Sequence, residues 1–267
     1  FHRIKFRRTL KAFMRDNLFK DALLNTSVFA VTWELVPGRG ARETAQEKAL
    51  ALAKQASIGG KICALTLTDN PGGTPAMSAD FMGAEIVKFG IEPLVHFTCK
   101  DKNRNQIESQ LYALDRSGVR NLLVMSGDYP VSGFHGRPAP VFDLDPIHVL
   151  QLISEMNAGL EYPGIKGVVR HQASDFFPGA VISPFKATEA EQMTQYFKLK
   201  KKIAAGAQFI ITQLGYDARK FHEVLLFMRQ HDLNIPLVGN IYILPYGAAN
   251  KMNRNGLPGN VVTDKLL

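Results

Sequence analysis

Polar side chains of different chemical types end four short apolar segments of the chain, which recur about every thirty residues. The segments SVFAVTWE, KICALTLT, EPLVHFTC and RNLLVMSGD carry, in turn, Glu34, Thr66 with Thr68, His96 with Thr98, and Asp128. A carboxyl group in a partly apolar setting can have its pKa raised towards neutrality, so that it keeps a proton and acts as a general acid. Glu34, which follows Trp33, is therefore a candidate proton donor.

Glu34 and His96 each have a purely structural interpretation as well. The carboxylate of Glu34 could form a surface ion pair with Arg39 or Arg42. A lone histidine in an apolar strand such as LVHFTC can equally be a core residue with satisfied hydrogen bonds. No cluster of His, Cys, Asp and Glu accompanies His96 in the sequence, so we expect no zinc site there.

Asp128 and Gln213 leave the same two possibilities open. Asp128 closes the tripeptide SGD and could shape a turn rather than take part in chemistry. Gln213 ends the apolar run FIIT and is either a hydrogen-bonding group for a substrate or an anchor for its loop. A shared active-site mouth explains why polar residues fall repeatedly at the same end of successive apolar segments, whereas independent surface residues would not do so.

The elements that would position these residues are buried parallel strands. Apolar runs of this length, rich in Val, Ile and Leu and separated by stretches with helical periodicity, are typical of strands in βα units. In a (β/α)8 barrel, the catalytic residues lie at the carboxyl ends of such strands. The sequence therefore predicts an α/β fold of the (β/α)8 TIM-barrel type, with the polar residues along one rim.

Seven strands and six connecting helices are predicted, and no eighth strand follows them. We expect strands over residues 27–35, 61–68, 92–99, 120–127, 178–185, 207–214 and 235–244. We expect helices over residues 42–57, 78–89, 103–117, 145–158, 187–205 and 217–231. The stretch before residue 172 is expected to be irregular, residues 245–260 to form a loop, and residues 261–267 to begin a further helix.

The N-terminal residues predict a separate element. Residues 7–25 have apolar positions at helical spacing, which indicates an amphipathic helix leading into the barrel. The expected organisation is an N-terminal helical extension over residues 1–25 and one catalytic barrel over residues 26–267. The length of 267 residues fits this organisation, because a single barrel of this type takes ~250 residues.

Composition narrows the class of protein. A hydrophobic content of 46% with 21% charged residues is typical of a globular protein, and no apolar run reaches the ~18 residues that cross a bilayer. The two cysteines, Cys63 and Cys99, fall in predicted strands, which favours reduced, buried thiols over a disulfide framework. These features predict a cytoplasmic protein that has no membrane span.

The net charge of +8 is concentrated in the N-terminal FHRIKFRR and in the lysine run at 198–202. Such a run is either a solvated helix face or a surface for an anionic group, such as a cofactor phosphate, an acidic partner subunit or a polyglutamate tail. No recognised motif for nucleic acid accompanies the charge, so we expect no nucleic-acid partner.

A set of motifs in fixed order resembles a known family. WELVPGRG, LTLTDN, VHFTC, NLLVMSGDYP, KLKKKIAAGAQFIITQ and PLVGNIYILP follow one another along the chain. Together they resemble the flavin-dependent barrels of the methylenetetrahydrofolate reductase family, in its bacterial type, from about residue 28 to 264. Each motif alone is weak, but the combination is specific.

The resemblance implies a flavoenzyme of one-carbon metabolism that reduces methylenetetrahydrofolate to methyltetrahydrofolate. Glu34 would protonate the bridging amine of the folate and open its five-membered ring to an iminium, which then accepts hydride from the reduced flavin. Asp128 would lie near the flavin and the pterin, where its negative charge favours the cation. Gln213 would hydrogen-bond the pterin, and Tyr246 would cover the substrate.

The resemblance also implies an FAD site. Its cofactor-binding residues would be Thr66, His96, Thr98, Ser126, Gly127, Asp128 and Lys202, with the lysine reaching the ribityl or phosphate part. Ser126 stands where well-known members have an arginine, and Gln195 stands where they have an acidic residue. Because both departures fall on cofactor contacts, FMN stays an alternative to FAD.

The implied partners are the folate substrate and NAD(P)H, and we expect an oligomer or a complex subunit. A dinucleotide fingerprint is not needed in this family, because the nicotinamide stacks on the flavin in turn with the folate. Two other functions stay open. The chain could be a flavin-carrying subunit that receives electrons from a partner subunit, or a noncatalytic barrel that binds folate.

Overall fold

The computed structural model of the chain describes residues 16–186, 188–255 and 261–267. The chain divides into two compact units, one that ends at Pro178 and a second over Gly179–Leu267. The helices of the first unit are α1 (Leu18–Leu24), α2 (Thr44–Gly59), α3 (Ala79–Val87), α4 (Arg104–Arg116) and α5 (Pro146–Ala158). Its strands are β1 (Thr32–Leu35), β2 (Ala64–Leu67), β3 (Glu92–Thr98), β4 (Asn121–Met125), β5 (Glu161–Gly164) and β6 (Gly167–Arg170).

The second unit continues the alternation of strands and helices. Its elements are β7 (Phe177–Ile182), α6 (Glu189–Ala204), β8 (Phe209–Thr212), α7 (Ala218–Gln230), β9 (Leu237–Val238) and α8 (Tyr246–Asn255). The strand β7 begins in the first unit, where the N–H of Phe177 donates to the carbonyl oxygen of Arg120 at 2.8 Å. Within the second unit, β7 pairs with β8 and β8 pairs with β9, both in parallel.

The strands β1 to β4 form a parallel ladder in chain order. Glu34 lies opposite Thr66, Thr66 opposite Leu94, and His96 opposite Leu123. Parallel neighbours in this register bring their carboxyl ends to the same edge of the sheet. The predicted α/β fold is confirmed, because parallel strands alternate with helices in the order of a (β/α)8 barrel and the described residues contain no eighth strand of that series.

Buried apolar faces hold the first unit together. The helix α4 buries Ile107, Leu111 and Leu114, the stripe that its sequence periodicity predicts. The helix α3 approaches the sheet closely at Gly83, where an added Cβ would lie 2.9 Å from a methyl group of Val95. A larger residue at that position would push the helix away from β3, so glycine fixes their spacing.

The N-terminal helix is attached to the first unit at two points. Phe19 is fully buried in an edge-to-face contact with Phe177, and the side chain of Asn17 donates to the side chain of Asn121 at 2.7 Å. Part of the predicted helix, residues 7–15, lies outside the described residues. The boundary between residues 25 and 26 stays a prediction.

Two regions differ from the predicted elements. The stretch expected to be irregular before residue 172 contains the antiparallel hairpin of β5 and β6. The stretch expected to be a loop after residue 244 contains α8. Pro163 and the flanking glycines obscured the hairpin, since proline and glycine weaken a strand pattern in the sequence. The hairpin is largely exposed, so no apolar alternation marks it either.

The last predicted strand is much shorter than expected. Of residues 235–244, only Leu237–Val238 form a strand. The ladder stops because the N–H of Asn240 donates to the side-chain oxygen of Thr212, and its carbonyl oxygen accepts from the N–H of Gly215. Ile241 and Ile243 beyond it are 68% and 91% exposed, so the apolar run does not mark a buried strand there. None of the described helices is both long and apolar enough to cross a lipid bilayer.

Candidate active site

Glu34 lies at the carboxyl end of β1, next to the end of β2. Its side chain reaches solvent, yet the protein atoms around its carboxyl group displace enough water for desolvation to raise its pKa. Within the described residues, neither Arg39 nor Arg42 forms an ion pair with it. The surface ion pair is therefore not formed among the described residues, and the role of Glu34 as a proton donor stays a prediction.

Asp128 connects the ends of β2 and β4. Its carboxylate accepts a hydrogen bond of 2.8 Å from the N–H of Gly72, which belongs to the short 3₁₀ turn Pro71–Gly73 after β2. The N–H groups of Val131 and Ser132 donate to the carbonyl oxygen of Gly73 at 2.9 Å and 3.5 Å, so three hydrogen bonds join the two rim loops. Gly73 has φ +68°, and an added Cβ would lie 2.0 Å from the carbonyl oxygen of Tyr129.

A buried ion pair lies between the ends of β2 and β3. The carboxylate of Asp69 accepts hydrogen bonds of 2.7 Å from the Lys102 ammonium and 2.7 Å from the Thr98 hydroxyl. The backbone N–H of Thr98 donates to the same oxygen at 3.3 Å. Sequence reasoning missed Asp69 and Lys102, although Asp69 directly follows Thr68 at a strand end and that position was the available signal.

Opposing influences act on the Asp69 carboxyl group. Desolvation is the largest and raises its pKa, but the charge and hydrogen bond of Lys102 and the two hydrogen bonds from Thr98 together lower the pKa below its usual value. The side chains of Asp69 and Lys102 are only 11% and 10% exposed. The carboxylate therefore stays ionised, and the ion pair is largely shielded from water and salt.

His96 is half-buried on β3, two residues before Thr98 and on the same face of the sheet. Desolvation lowers the pKa of its imidazole to about 4, against a smaller raising influence of Asp69. The ring is therefore neutral at physiological pH. A neutral imidazole offers one donor and one acceptor to a ligand.

The cysteines are free thiols. Cys99 is buried, and desolvation raises its pKa to about 12, so its thiol stays protonated. Cys63 is half-buried rather than buried, and it donates to the carbonyl oxygen of Val31 at 3.1 Å. Among the residues that the structure describes, no group of three or more His, Cys, Asp or Glu side chains could hold a metal ion.

The family model for methylenetetrahydrofolate reductase matches residues 20–257, which is most of the chain. The chain belongs to the methylenetetrahydrofolate reductase family. It is 28% identical over 152 residues to methylenetetrahydrofolate reductase (NADH) 1 of Arabidopsis thaliana, covering 57% of this chain and 25% of that protein. It is 22% identical over 227 residues to a probable methylenetetrahydrofolate reductase (NADPH) of Caenorhabditis elegans, covering 80% of this chain and 31% of that protein. The chain thus spans less than a third of the length of these relatives.

A solved structure has a related fold. It is a Clostridium thermocellum protein described as binding two copies of 5-methyl-5,6,7,8-tetrahydrofolic acid. The TM-score is 0.60 at 14% sequence identity, with 93% of this chain and 77% of that chain covered. At this identity the similarity concerns the fold.

The rim of the first unit in this member of the methylenetetrahydrofolate reductase family fits a flavin. The hydroxyl oxygen of Thr68 is buried at the end of β2 without a hydrogen-bond partner among the described residues. Thr66, two residues earlier on the same face of β2, is 6% exposed, and the neutral His96 lies on the next strand. Uncharged donors and acceptors of this kind suit the polar edge of an isoalloxazine ring.

Ser126 and Gly127 follow β4 directly. Ser126 is exposed and offers a hydroxyl group. Gly127 has φ +83°, and an added Cβ would lie 2.9 Å from the Lys100 side chain and 3.0 Å from that of Thr98. This glycine lets the loop after β4 pass close to the end of β3.

The remaining predicted site residues lie in the second unit. Lys202 donates from its ammonium to the carbonyl oxygen of Val181 at 2.6 Å. Gln213 follows β8, and its side-chain oxygen accepts from the N–H of Leu214 at 2.9 Å. Tyr246 is the first residue of α8 and is 71% exposed. Their roles towards a ligand stay predictions.

Proposed function

We propose that the chain catalyses the flavin-dependent reduction of 5,10-methylenetetrahydrofolate to 5-methyltetrahydrofolate. The observation that carries the proposal is the position of Glu34, a carboxyl group with a raised pKa at a strand end of a chain in this family. The folate bound by the related Clostridium thermocellum protein supports a folate substrate.

Glu34 is the general acid in this proposal. Because desolvation favours its neutral form, the pKa of Glu34 lies above its usual value, and the group keeps its proton to a higher pH than a fully solvated glutamate would. It donates this proton to the bridging amine of the folate, whose five-membered ring opens to an iminium at the methylene carbon. A reduced flavin would supply the hydride that the methylene carbon accepts. Glu34 therefore makes the methylene carbon electrophilic, whereas the hydride would come from the flavin.

Asp128 stabilises the cationic iminium through its negative charge. Its hydrogen bond from the N–H of Gly72 fixes one carboxylate oxygen, so the direction of the charge is set before substrate arrives. Preorganised charges of this kind lower the barrier because they need no rearrangement during the reaction. Thr66, His96 and Ser126 would hold the flavin, which we propose to be FAD.

Three residues of the second unit have predicted roles in this proposal. Gln213 would hydrogen-bond the pterin, Tyr246 would cover the substrate, and Lys202 would reach the cofactor phosphate. The electron donor is a nicotinamide dinucleotide, as the names of the NADH and NADPH relatives suggest for those proteins. This favours the enzyme over a subunit that takes electrons only from a protein partner.

The first experiment compares Glu34→Gln with the wild type. The purified wild type should be yellow, lose its colour with NADH or NADPH, and regain it with methylenetetrahydrofolate. The variant should keep the flavin and the bleaching but lose folate reduction by ~10²- to 10⁴-fold, the usual contribution of a general acid. Glu47→Gln, an exposed carboxyl on α2, is the matched control and should behave as the wild type. Folate reduction by Glu34→Gln at the wild-type rate would refute the mechanism.

The second experiment follows folate reduction against pH. The rate of the folate half-reaction should be constant at low pH and fall about tenfold per unit above the pKa of Glu34, which lies above the usual 4.5. The sign follows because the protonated form is the active one. A rate that instead rises with pH through this range would show Glu34 acting as a base.

A further inference from the structure

One carboxylate oxygen of Asp69 accepts hydrogen bonds from three donors. The Lys102 ammonium, the Thr98 hydroxyl and the Thr98 backbone N–H all donate to Oδ2. The carboxylate thus ties the loop after β2 to the end of β3 by two hydrogen bonds to a single residue. This fixes the end of the strand on which His96 lies.

The arrangement determines the hydrogen-bonding polarity of Thr98. A hydroxyl group has one proton and two lone pairs, and the Thr98 proton is committed to Asp69. The oxygen can therefore only accept a hydrogen bond from a further group. The Asp69 carboxylate thus makes the Thr98 hydroxyl, which could otherwise donate or accept, an acceptor towards any further group.

The arrangement also balances charge at the rim. The Asp69 carboxylate acts on the imidazole of His96, where it raises the pKa against the larger effect of desolvation. The Lys102 ammonium, 2.7 Å from that carboxylate and 4.6 Å from the centre of the Phe97 ring, supplies the opposite charge. Because both side chains are nearly excluded from water, removing either one leaves a poorly screened charge at the end of β3.

We propose that Asp69 and Lys102 are positioning residues of the flavin site, which hold Thr98 as a hydrogen-bond acceptor and keep the surroundings of His96 electrically balanced. This inference rests on the proposed function, since it assigns the pair to the flavin. The two residues act through Thr98 and His96 rather than by contact with the cofactor. Their effect on the flavin should therefore depend on the sign of the charge left behind.

The test compares Asp69→Asn, Lys102→Met and the double variant at pH 8. Asp69→Asn leaves an unbalanced positive charge, which stabilises the anionic reduced flavin, so the midpoint potential should rise. Lys102→Met leaves a negative charge, so the potential should fall. The double variant has no charge at either position and should lie between the two. Shifts of the same sign in both single variants, as expected of a purely structural disturbance, would overturn the proposal.

The titration of His96 gives a second readout that needs no flavin. Followed by NMR and assigned with His96→Asn, the His96 pKa should fall in Asp69→Asn and rise in Lys102→Met. An unchanged His96 pKa in both variants would refute the charge balance. If the wild-type chain binds no flavin while the His96 shifts occur, the proposed function fails and the electrostatic coupling stands. The two failures are therefore distinguishable.

Thr98 variants test the hydrogen-bond polarity. Thr98→Val keeps the shape but removes the oxygen, and it should weaken flavin binding by about 3- to 10-fold, the effect of one hydrogen bond. Thr98→Ser keeps the hydroxyl group and should restore the affinity. Binding is measured by quenching of flavin fluorescence, and thermal unfolding checks that each variant folds. Equal affinity of Thr98→Val and the wild type would exclude Thr98 as an acceptor for the cofactor.

Discussion

The sequence has an apolar run at the end of both β2 and β9, but the two strand ends differ in structure. At the end of β2 in the first unit, the apolar strand passes directly into buried polar contacts around Asp69. At the end of β9 in the second unit, a two-residue strand passes into the exposed residues Ile241–Ile243. Apolar side chains make a strand only where the backbone also finds ladder partners, and Asn240 takes its partners from Thr212 and Gly215 instead.

The largest contrast between the two ends should appear on removing apolar side chains from β2. Leu67 is fully buried, so Leu67→Ala should lower the free energy of unfolding by ~2–5 kcal/mol through lost burial and a cavity. Urea unfolding followed by circular dichroism measures this change. Leu67→Met, which nearly preserves volume, is the control and should cost less than ~1.5 kcal/mol. A cost for Leu67→Ala below that of the control would contradict the burial of β2.

A smaller effect should separate two adjacent glycines of the rim. Gly72 and Gly73 have φ +62° and +68°, but only an added Cβ at Gly73 would meet the Tyr129 carbonyl oxygen. Gly72→Ala should cost about 1 kcal/mol through backbone strain alone. Gly73→Ala should cost about 1–3 kcal/mol more, because the loops after β2 and β4 must separate. Equal unfolding midpoints for the two variants would mean that the loops do not pack as described.

The smallest effect is expected at the exposed end of β9. Ile243 is 91% exposed, so Ile243→Ser should change the free energy of unfolding by no more than ~0.5 kcal/mol. The comparison within the second unit is Ile211 on β8, 7% exposed, where the same substitution should cost several times more. A large loss for Ile243→Ser would show that this segment is packed in solution, and the contrast between the two strand ends would disappear.

Sequence reasoning located β2, β3 and β4 because their apolar runs are buried on both faces. Every residue of Ala64–Leu67 is buried, and a parallel strand that is buried on both faces has a continuous apolar run in its sequence. The same rule failed for residues 239–244, where apolar composition is not accompanied by burial. The exposed hairpin over 161–170 gave no apolar alternation to find.

The positions of the candidate site residues were predictable from the sequence, but their hydrogen-bond partners were not. Glu34, Thr66, His96, Thr98 and Asp128 all lie at the carboxyl ends of β1 to β4, as the recurrence of polar residues indicated. The three-donor arrangement around Asp69 was not predictable, because it depends on which loops meet above the sheet. Spacing along the chain specifies the strand end at which a residue lies, while hydrogen-bond partners follow from tertiary contacts.

The hydrogen bond between Asp128 and Gly72 has a consequence for any molecule that uses the same carboxylate oxygen. A molecule that can reach this oxygen only by displacing the Gly72 N–H has to break that hydrogen bond, so its capture and the loosening of the Pro71–Gly73 turn become one event. The free energy of opening the turn then enters the dissociation constant. A change that weakens the turn, even one far from any ligand, would tighten binding, and a change that strengthens the turn would weaken it.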